Sequence, residues 1–148
     1  MGEHGRNLSE CYGYDFEQLQ VGMSASIGRT VSEADILAFA GVSGDNNPVH
    51  VDQEFAASTM FEGRIAHGML SASYISTVFG TRLPGPGCIY LSQSLRFKAP
   101  VRVGDTVVAR VTVTALNPQK RRASFETVCT VAGKVVLEGE AEIMIPAR

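Results

Sequence analysis

The sequence predicts an α+β fold in which an antiparallel sheet is folded around one central helix. Residues 68–81 hold no charged side chain across fourteen positions, while Met69, Ala72, Ile75 and Phe79 recur at near-helical spacing. That pattern describes a helix buried on nearly all sides. From Cys88 onward the apolar period falls to two, the period of a strand. Helical and strand signals run in blocks rather than in alternation, which argues for α+β and against a parallel nucleotide-binding sheet.

Each element has its own signal. Gly22 to Thr30 reads as a short first strand. Ser32 is placed to cap a helix, with Asp35 three residues on and its charge near the helix N-terminus. This helix is expected to turn Ile36, Leu37, Phe39 and Ala40 inward and to end near Gly41 to Gly44. Gly44 to His50 reads as a loop, because Pro48 disfavours helix at Asn47. A short helix is expected from about Asp52 to Ser58. The helix from Gly68 to Thr81 is too short and too rich in hydroxyls to span a membrane. Thr106 to Leu116 alternates Val107, Ala109, Val111, Val113 and Ala115 against more polar neighbours, and Ser124 to Val131 and Lys134 to Ile145 follow as strands. Arg96 to Thr106 carries Pro100 and a Gly104-Asp105 turn, so about four antiparallel strands are expected after the helix. Residues 1–13 are polar and are expected to be flexible; 14–148 are expected to form one domain.

Composition narrows the function classes. The chain has 148 residues, 45% hydrophobic and 19% charged, which is globular rather than disordered. A net charge of -2 gives no bulk attraction to nucleic acid. No run is long and apolar enough for a membrane span, and the start of the chain has no apolar secretory region. Cys11, Cys88 and Cys129 are odd in number and scattered, which fits a reducing cytoplasm rather than a disulfide framework or a zinc site.

Of the three histidines, His4 lies in the polar start, whereas His50 and His67 flank expected elements. Asp45 and His50 are five residues apart, up to about 17 Å in an extended chain. The Asn-Pro turn between them can fold that distance back, so that carboxylate and imidazole face one point. Such a pair activates water and delivers a proton. The same residues also suit a plain Asx-turn and a structural imidazole. Spacing supplies no third ligand for a metal. Gly68 opens the buried helix, where free N–H groups gather and where the lack of a Cβ admits a ligand. A carbonyl oxygen gaining negative charge would be stabilised there; equally, Gly68 could simply relieve crowding.

The run Ser43-Gly44-Asp45-Asn46-Asn47-Pro48-Val49-His50-Val51-Asp52, with Ala56 following, resembles the hydratase 2 signature of MaoC-like (R)-specific enoyl-CoA hydratases. Phe61 to Leu70, ending Ile65-Ala66-His67-Gly68-Met69-Leu70, resembles a second segment of the same family, and the likeness runs from about Gly13 to Pro146. The resemblance implies a hot-dog fold and homodimers whose sheets join edge to edge. It implies reversible syn-addition of water to a trans-2-enoyl-CoA thioester, giving the (R)-3-hydroxyacyl thioester without metal or cofactor. By that likeness Asp45 and His50 are the catalytic pair and the Gly68 N–H binds the thioester oxygen. Asn47, which also organises the loop, His67 and Met69 are carried over as substrate-binding positions.

The carrier site is less defined. Lys120-Arg121-Arg122 in an expected hairpin turn could meet coenzyme A phosphates, or be a solvated turn; Arg96 and Lys98 alternate along a strand and are open to the same two readings. Two other readings share the residues: a dehydratase acting on acyl carrier protein, and an acyl-thioester binding module without catalysis. A hot-dog thioesterase would place a carboxylate on or near the central helix, and residues 68–81 contain none.

Overall fold

Ser32 starts the first helix as its sequence predicts. Its hydroxyl accepts from the Asp35 N–H at 3.1 Å, and the Asp35 carboxylate accepts from the Ser32 N–H at 2.9 Å. This closed capping box begins helix α1, Glu33–Ser43, which Gly44 ends in the left-handed region at φ 77°. The computed structural model describes residues 4–148; Met1–Glu3, the start of the segment expected to be flexible, lie outside the described residues. Leu8–Cys11 form a 3₁₀ turn, and the N–H groups of Gly13 and Tyr14 donate to the carbonyls of Pro86 and Pro84.

Strand β1 (Ser24–Thr30) precedes α1; helices α2 (Pro48–Val51), α3 (Gln53–Ala57) and α4 (Gly68–Thr81) follow it. Then come β2 (Ile89–Gln93), β3 (Arg96–Phe97), β4 (Thr106–Asn117), β5 (Arg122–Val131) and β6 (Lys134–Met144). All pair antiparallel in one sheet of order β1-β4-β5-β6-β2, with β3 also on β6. Five strands rather than four therefore follow α4. The extra count arises because β2 and β3 lie along the same partner, Gln93 opposite Ala141 and Arg96 opposite Glu138, but are interrupted between. At the interruption the Ser94 carbonyl occupies the space a side chain on residue 139 would need: a Cβ on Gly139 would lie 1.8 Å from that oxygen.

The sheet wraps α4. Val107, Val111, Val113, Phe125, Leu137 and Ile143 point inward at alternate positions, onto Ile75, Val78 and Phe79 of α4. Phe79 and Phe125 meet edge to face, centroids 4.8 Å apart. Two expectations change in detail. α4 buries its sheet side, but Met69, Ser73, Ser76 and Thr77, spaced as one helical face, are exposed because nothing in the single chain covers them. On α1, Ile36 and Ala40 are buried and Phe39 half-buried, whereas Leu37 points to solvent at 53% exposure.

The capping box carries a pH consequence. Hydrogen bonds from Ser32, its backbone N–H above all, hold the Asp35 carboxyl below the usual carboxylate range, with Arg29 adding attraction. A group whose pKa falls on folding stabilises the fold above its unfolded value and loses that contribution as pH falls through the folded value. Unfolding midpoints measured against pH are therefore expected to drop on the acid side for the parent, and less steeply for Asp35→Asn.

Candidate active site

Two segments build the site, and main-chain geometry holds them together. Ser43 to Asp52 turns sharply. The Asp45 carboxylate accepts from the Asn47 N–H at 3.2 Å, and the Asn47 side chain accepts from the Val49 N–H at 3.1 Å, capping α2 with Pro48 in its first turn. The expected loop is thus partly one turn of helix, because an Asn-Pro pair suits a helix start as well as a turn. The Asx-turn reading of Asp45 and its convergence with His50 are both realised, since the turn engages only one carboxylate oxygen, Oδ1.

The second segment, Arg64 to Gly68, lies alongside. The Ile65 N–H donates to the Val49 carbonyl at 3.2 Å. The His50 Nδ1–H donates to the Ile65 carbonyl at 2.7 Å. Because a carbonyl oxygen only accepts, His50 carries its proton on Nδ1 when neutral, leaving the Nε2 lone pair as the basic site. In the other direction the His67 Nε2–H donates to the Asp45 carbonyl at 3.0 Å. Arg64 braces the same junction. Its guanidinium grips Glu33 of α1 at 2.7 and 2.6 Å and reaches the His50 carbonyl at 3.5 Å. That grip holds the Glu33 carboxyl below its ordinary range. Arg102 binds the carbonyls of Phe61 and Arg64 from the far side.

The result is a cluster of three groups. One carboxylate oxygen of Asp45 and one nitrogen from each of His50 and His67 lie within 4.8 Å of one another. The imidazoles of His50 and His67 are stacked, centroids 3.8 Å apart and 27° between planes, and Phe39 lies against His67 at 4.9 Å. A third candidate ligand, which spacing alone did not supply, is therefore present. The donor set nevertheless suits a metal poorly. Lone pairs lie in the ring planes, so stacked rings aim them side by side rather than at one centre.

A cleft of about 530 Å³ opens at the start of α4, lined by His67, Gly68, Met69, Phe97 and Lys98 among others. Asp45, Asn47 and His50 are not among its lining residues; His67 is the member of the cluster that reaches it. Asp45 and Asn47 are exposed, while His50 and His67 are buried. The Phe97 ring lies directly over Gly68, where an added Cβ would come within 2.6 Å of it. Met69 lines both this cleft and a second hollow with Phe39, Ser73, Tyr90 and Leu91.

Other candidates fall away from the cleft. Lys120 and Arg121 do lie in the hairpin turn, with Arg122 opening β5, but Arg121 pairs with Glu17 at 2.6 Å and Arg122 with Glu142 at 3.6 Å. Arg96 does not line the cleft, whereas Lys98 does. Cys129 is buried, which pushes its thiol up to about 12 and makes it a poor nucleophile. Phe97, Arg64 and Glu33 were not singled out from the sequence. Their roles depend on contacts across 29 or more residues, such as Arg64 to Glu33, 31 apart, and no local signal marks them.

Residues 16–139 match the family described as the MaoC like domain. The chain belongs to the MaoC-like family. The chain is 63% identical to an (R)-specific enoyl-CoA hydratase of Rhodospirillum rubrum, over 90% of this chain and 92% of that protein. It is 48% identical to a 3-hydroxybutyryl-CoA dehydratase of Methylorubrum extorquens, over 90% and 85%. Among solved structures, the (R)-hydratase from A. caviae involved in PHA biosynthesis superposes with a TM-score of 0.84 at 46% identity, covering 88% of this chain and 99% of that one. The sheet wrapped on α4 is the hot-dog fold that this MaoC-like chain shares with it.

Proposed function

We propose that this chain is an (R)-specific enoyl-CoA hydratase, a hydro-lyase that adds water reversibly to a trans-2-enoyl-CoA. The observation that carries the reading is the convergence of the Asp45 carboxylate and the His50 imidazole within 4.8 Å, beside the N-terminus of α4. The relatives' names supply the substrate class.

Hydration needs three things: a polarised water at the β-carbon, a proton at the α-carbon and stabilisation of the thioester oxygen. Asp45 and His50 hold the water between carboxylate and Nε2. The water's hydroxyl joins the β-carbon while its proton reaches the α-carbon through the pair. As the C=C π bond is broken, charge moves onto the thioester oxygen, and the Gly68 N–H, free as the first N–H of α4, donates a hydrogen bond to it. The positive end of the helix dipole lies at the same place. Met69 and the apolar walls of the two hollows are suited to the acyl chain, and Lys98, which lines the cleft and pairs with the exposed Glu138 at 3.4 Å, to the carrier's phosphates once it exchanges that partner.

A homodimer belongs to this reading. β2 is an edge strand with Ile89, Tyr90 and Leu91 at 42%, 37% and 40% exposure, and it borders the uncovered face of α4. Joining two β2 edges would pair their free backbone groups and cover that face, shielding the exposed Asp45 side of the site from bulk water. No helix among the described residues is long and apolar enough to cross a membrane. Three unbridged cysteines fit a cytoplasmic location.

Four outcomes test this. Loss of enoyl-thioester absorbance with crotonyl-CoA is expected for the parent. Asp45→Asn and His50→Gln should each lower kcat by about 10²–10⁴-fold with unchanged circular dichroism; turnover like the parent's in either variant would remove the pair. Gly68→Ala should displace Phe97 and cost on the order of 10-fold in kcat without unfolding. If the Ala variant keeps full rate, the oxyanion role of that N–H fails. Light scattering should give twice the 15.8 kDa chain mass, and Leu91→Lys should shift the population toward single chains. A parent measured at the single-chain mass would refute the β2 interface.

A further inference from the structure

His67 is 2% exposed, more deeply buried than His50, and its two ring nitrogens have unequal surroundings. Nε2–H donates to the Asp45 carbonyl, whereas Nδ1 has no hydrogen-bond partner among the described residues. A buried ring nitrogen without a partner is a cost that a phenyl group would avoid. Packing alone therefore does not account for an imidazole here. What a phenyl lacks is the Nε2–H, and that group reaches 22 residues back along the chain to the residue proposed as the acid–base carboxylate. The same ring stacks on His50 and is backed by Phe39. His67 also immediately precedes Gly68, as the N-cap residue of α4.

We propose that His67 is a positioning residue, a single ring that sets Asp45 through its main-chain carbonyl and His50 through its face, and fixes both relative to the Gly68 N–H. The inference rests on the hydratase reading above and adds to it. Asp45 is exposed and held in the loop by an Asx-turn, so its carboxylate direction follows its own backbone. The His67 Nε2–H is the side-chain donor that fastens that backbone to α4. Without it, the loop retains its internal turn and its bonds to Ile65, but its Asp45 end loses its registration against the helix that carries the oxyanion donor. A misplacement near 1 Å between such groups costs about 100-fold in rate. His67 is one wall of the cleft, but Phe97, Val101, Val136 and Leu137 line it without contacting the His67 donor, so KM should change little.

Three variants separate this from a packing role: His67→Phe, His67→Gln and the double variant Asp45→Asn/His67→Phe, each assayed with crotonyl-CoA. Phe keeps a ring and loses the donor; Gln loses the ring but places an amide N–H near the position of Nε2. His67→Phe should lower kcat by about 100-fold with KM within about threefold. His67→Gln should recover at least about tenfold of that loss. Because His67 acts through the Asp45–His50 pair, the double variant should lose less than the product of the two single losses, since the two share one route. The proposal is overturned if His67→Phe keeps kcat within threefold of the parent, if Gln is no faster than Phe, or if the double-variant losses multiply. If His67→Phe does not fold, the comparison of His67→Gln with Asp45→Asn/His67→Gln decides by the same non-additivity. Full activity in Asp45→Asn would instead sink the acid–base reading, so the two failures are distinguishable.

Discussion

Everything in the site depends on hydrogen bonds that lock the 43–52 turn against residues 64–68. The Ile65 N–H holds the Val49 carbonyl, the His50 ring holds the Ile65 carbonyl, and the His67 ring holds the Asp45 carbonyl. Two of these three join a side chain to main chain, and they run in opposite directions across the junction. The turn cannot slide along its neighbour without breaking both. Either ring alone would leave one end of the turn free. The salt bridge from Arg64 to Glu33 ties the same junction to α1, so the site is fastened to two helices rather than presented on a free loop.

The sheet contributes a different constraint. It buries one side of α4 and thereby fixes where that helix begins, which is where the site needs it. Gly68 stands at that beginning for a steric reason visible only in three dimensions, because Phe97 from β3 fills the space a Cβ would take. β3 is separated from β2 where the Ser94 carbonyl lies over Gly139. Two glycines thus cooperate at a distance. One lets the edge of the sheet break, and the other lets the aromatic beyond that break close onto the helix start. The cleft wall is a product of both.

Much of the frame was legible in the sequence. The bounds of α4 follow from a charge-free run, those of β4 to β6 from period two, and the start of α1 from Ser32 and Asp35. The unreadable parts share a physical cause. α1 is apolar nearly all round in its middle, so no pattern told Leu37 from Ile36 as the inward residue, and only the packing decided. α4 looked buried on all sides because small hydroxyl residues are as acceptable in a core as at an uncovered face. α2 was hidden because Asn47-Pro48 is both a turn signal and a good helix start. The pairing of Asp45 with His50 was readable, being five residues apart across a turn. His67 was readable as a position and not as a member of that group, because its contact with Asp45 crosses 22 residues and uses a carbonyl that every residue possesses.

The choice of carbonyl partners has a chemical consequence. A carboxylate behind an imidazole would orient it too, but would add a negative charge to the site. A main-chain carbonyl fixes the tautomer with a dipole and no net charge. His50 is thereby left with Nε2 as its basic nitrogen, in a ring of which one nitrogen lies within 4.8 Å of an Asp45 carboxylate oxygen, and His67 is left with Nδ1 unengaged. The nearby Glu33 carboxylate is held by Arg64, which balances its charge. One carboxylate, that of Asp45, thus remains in the cluster beside the two imidazoles. Adding further negative charge there would oppose the build-up of charge on a thioester oxygen, so an uncharged orienting partner suits enolate chemistry better than an anionic one.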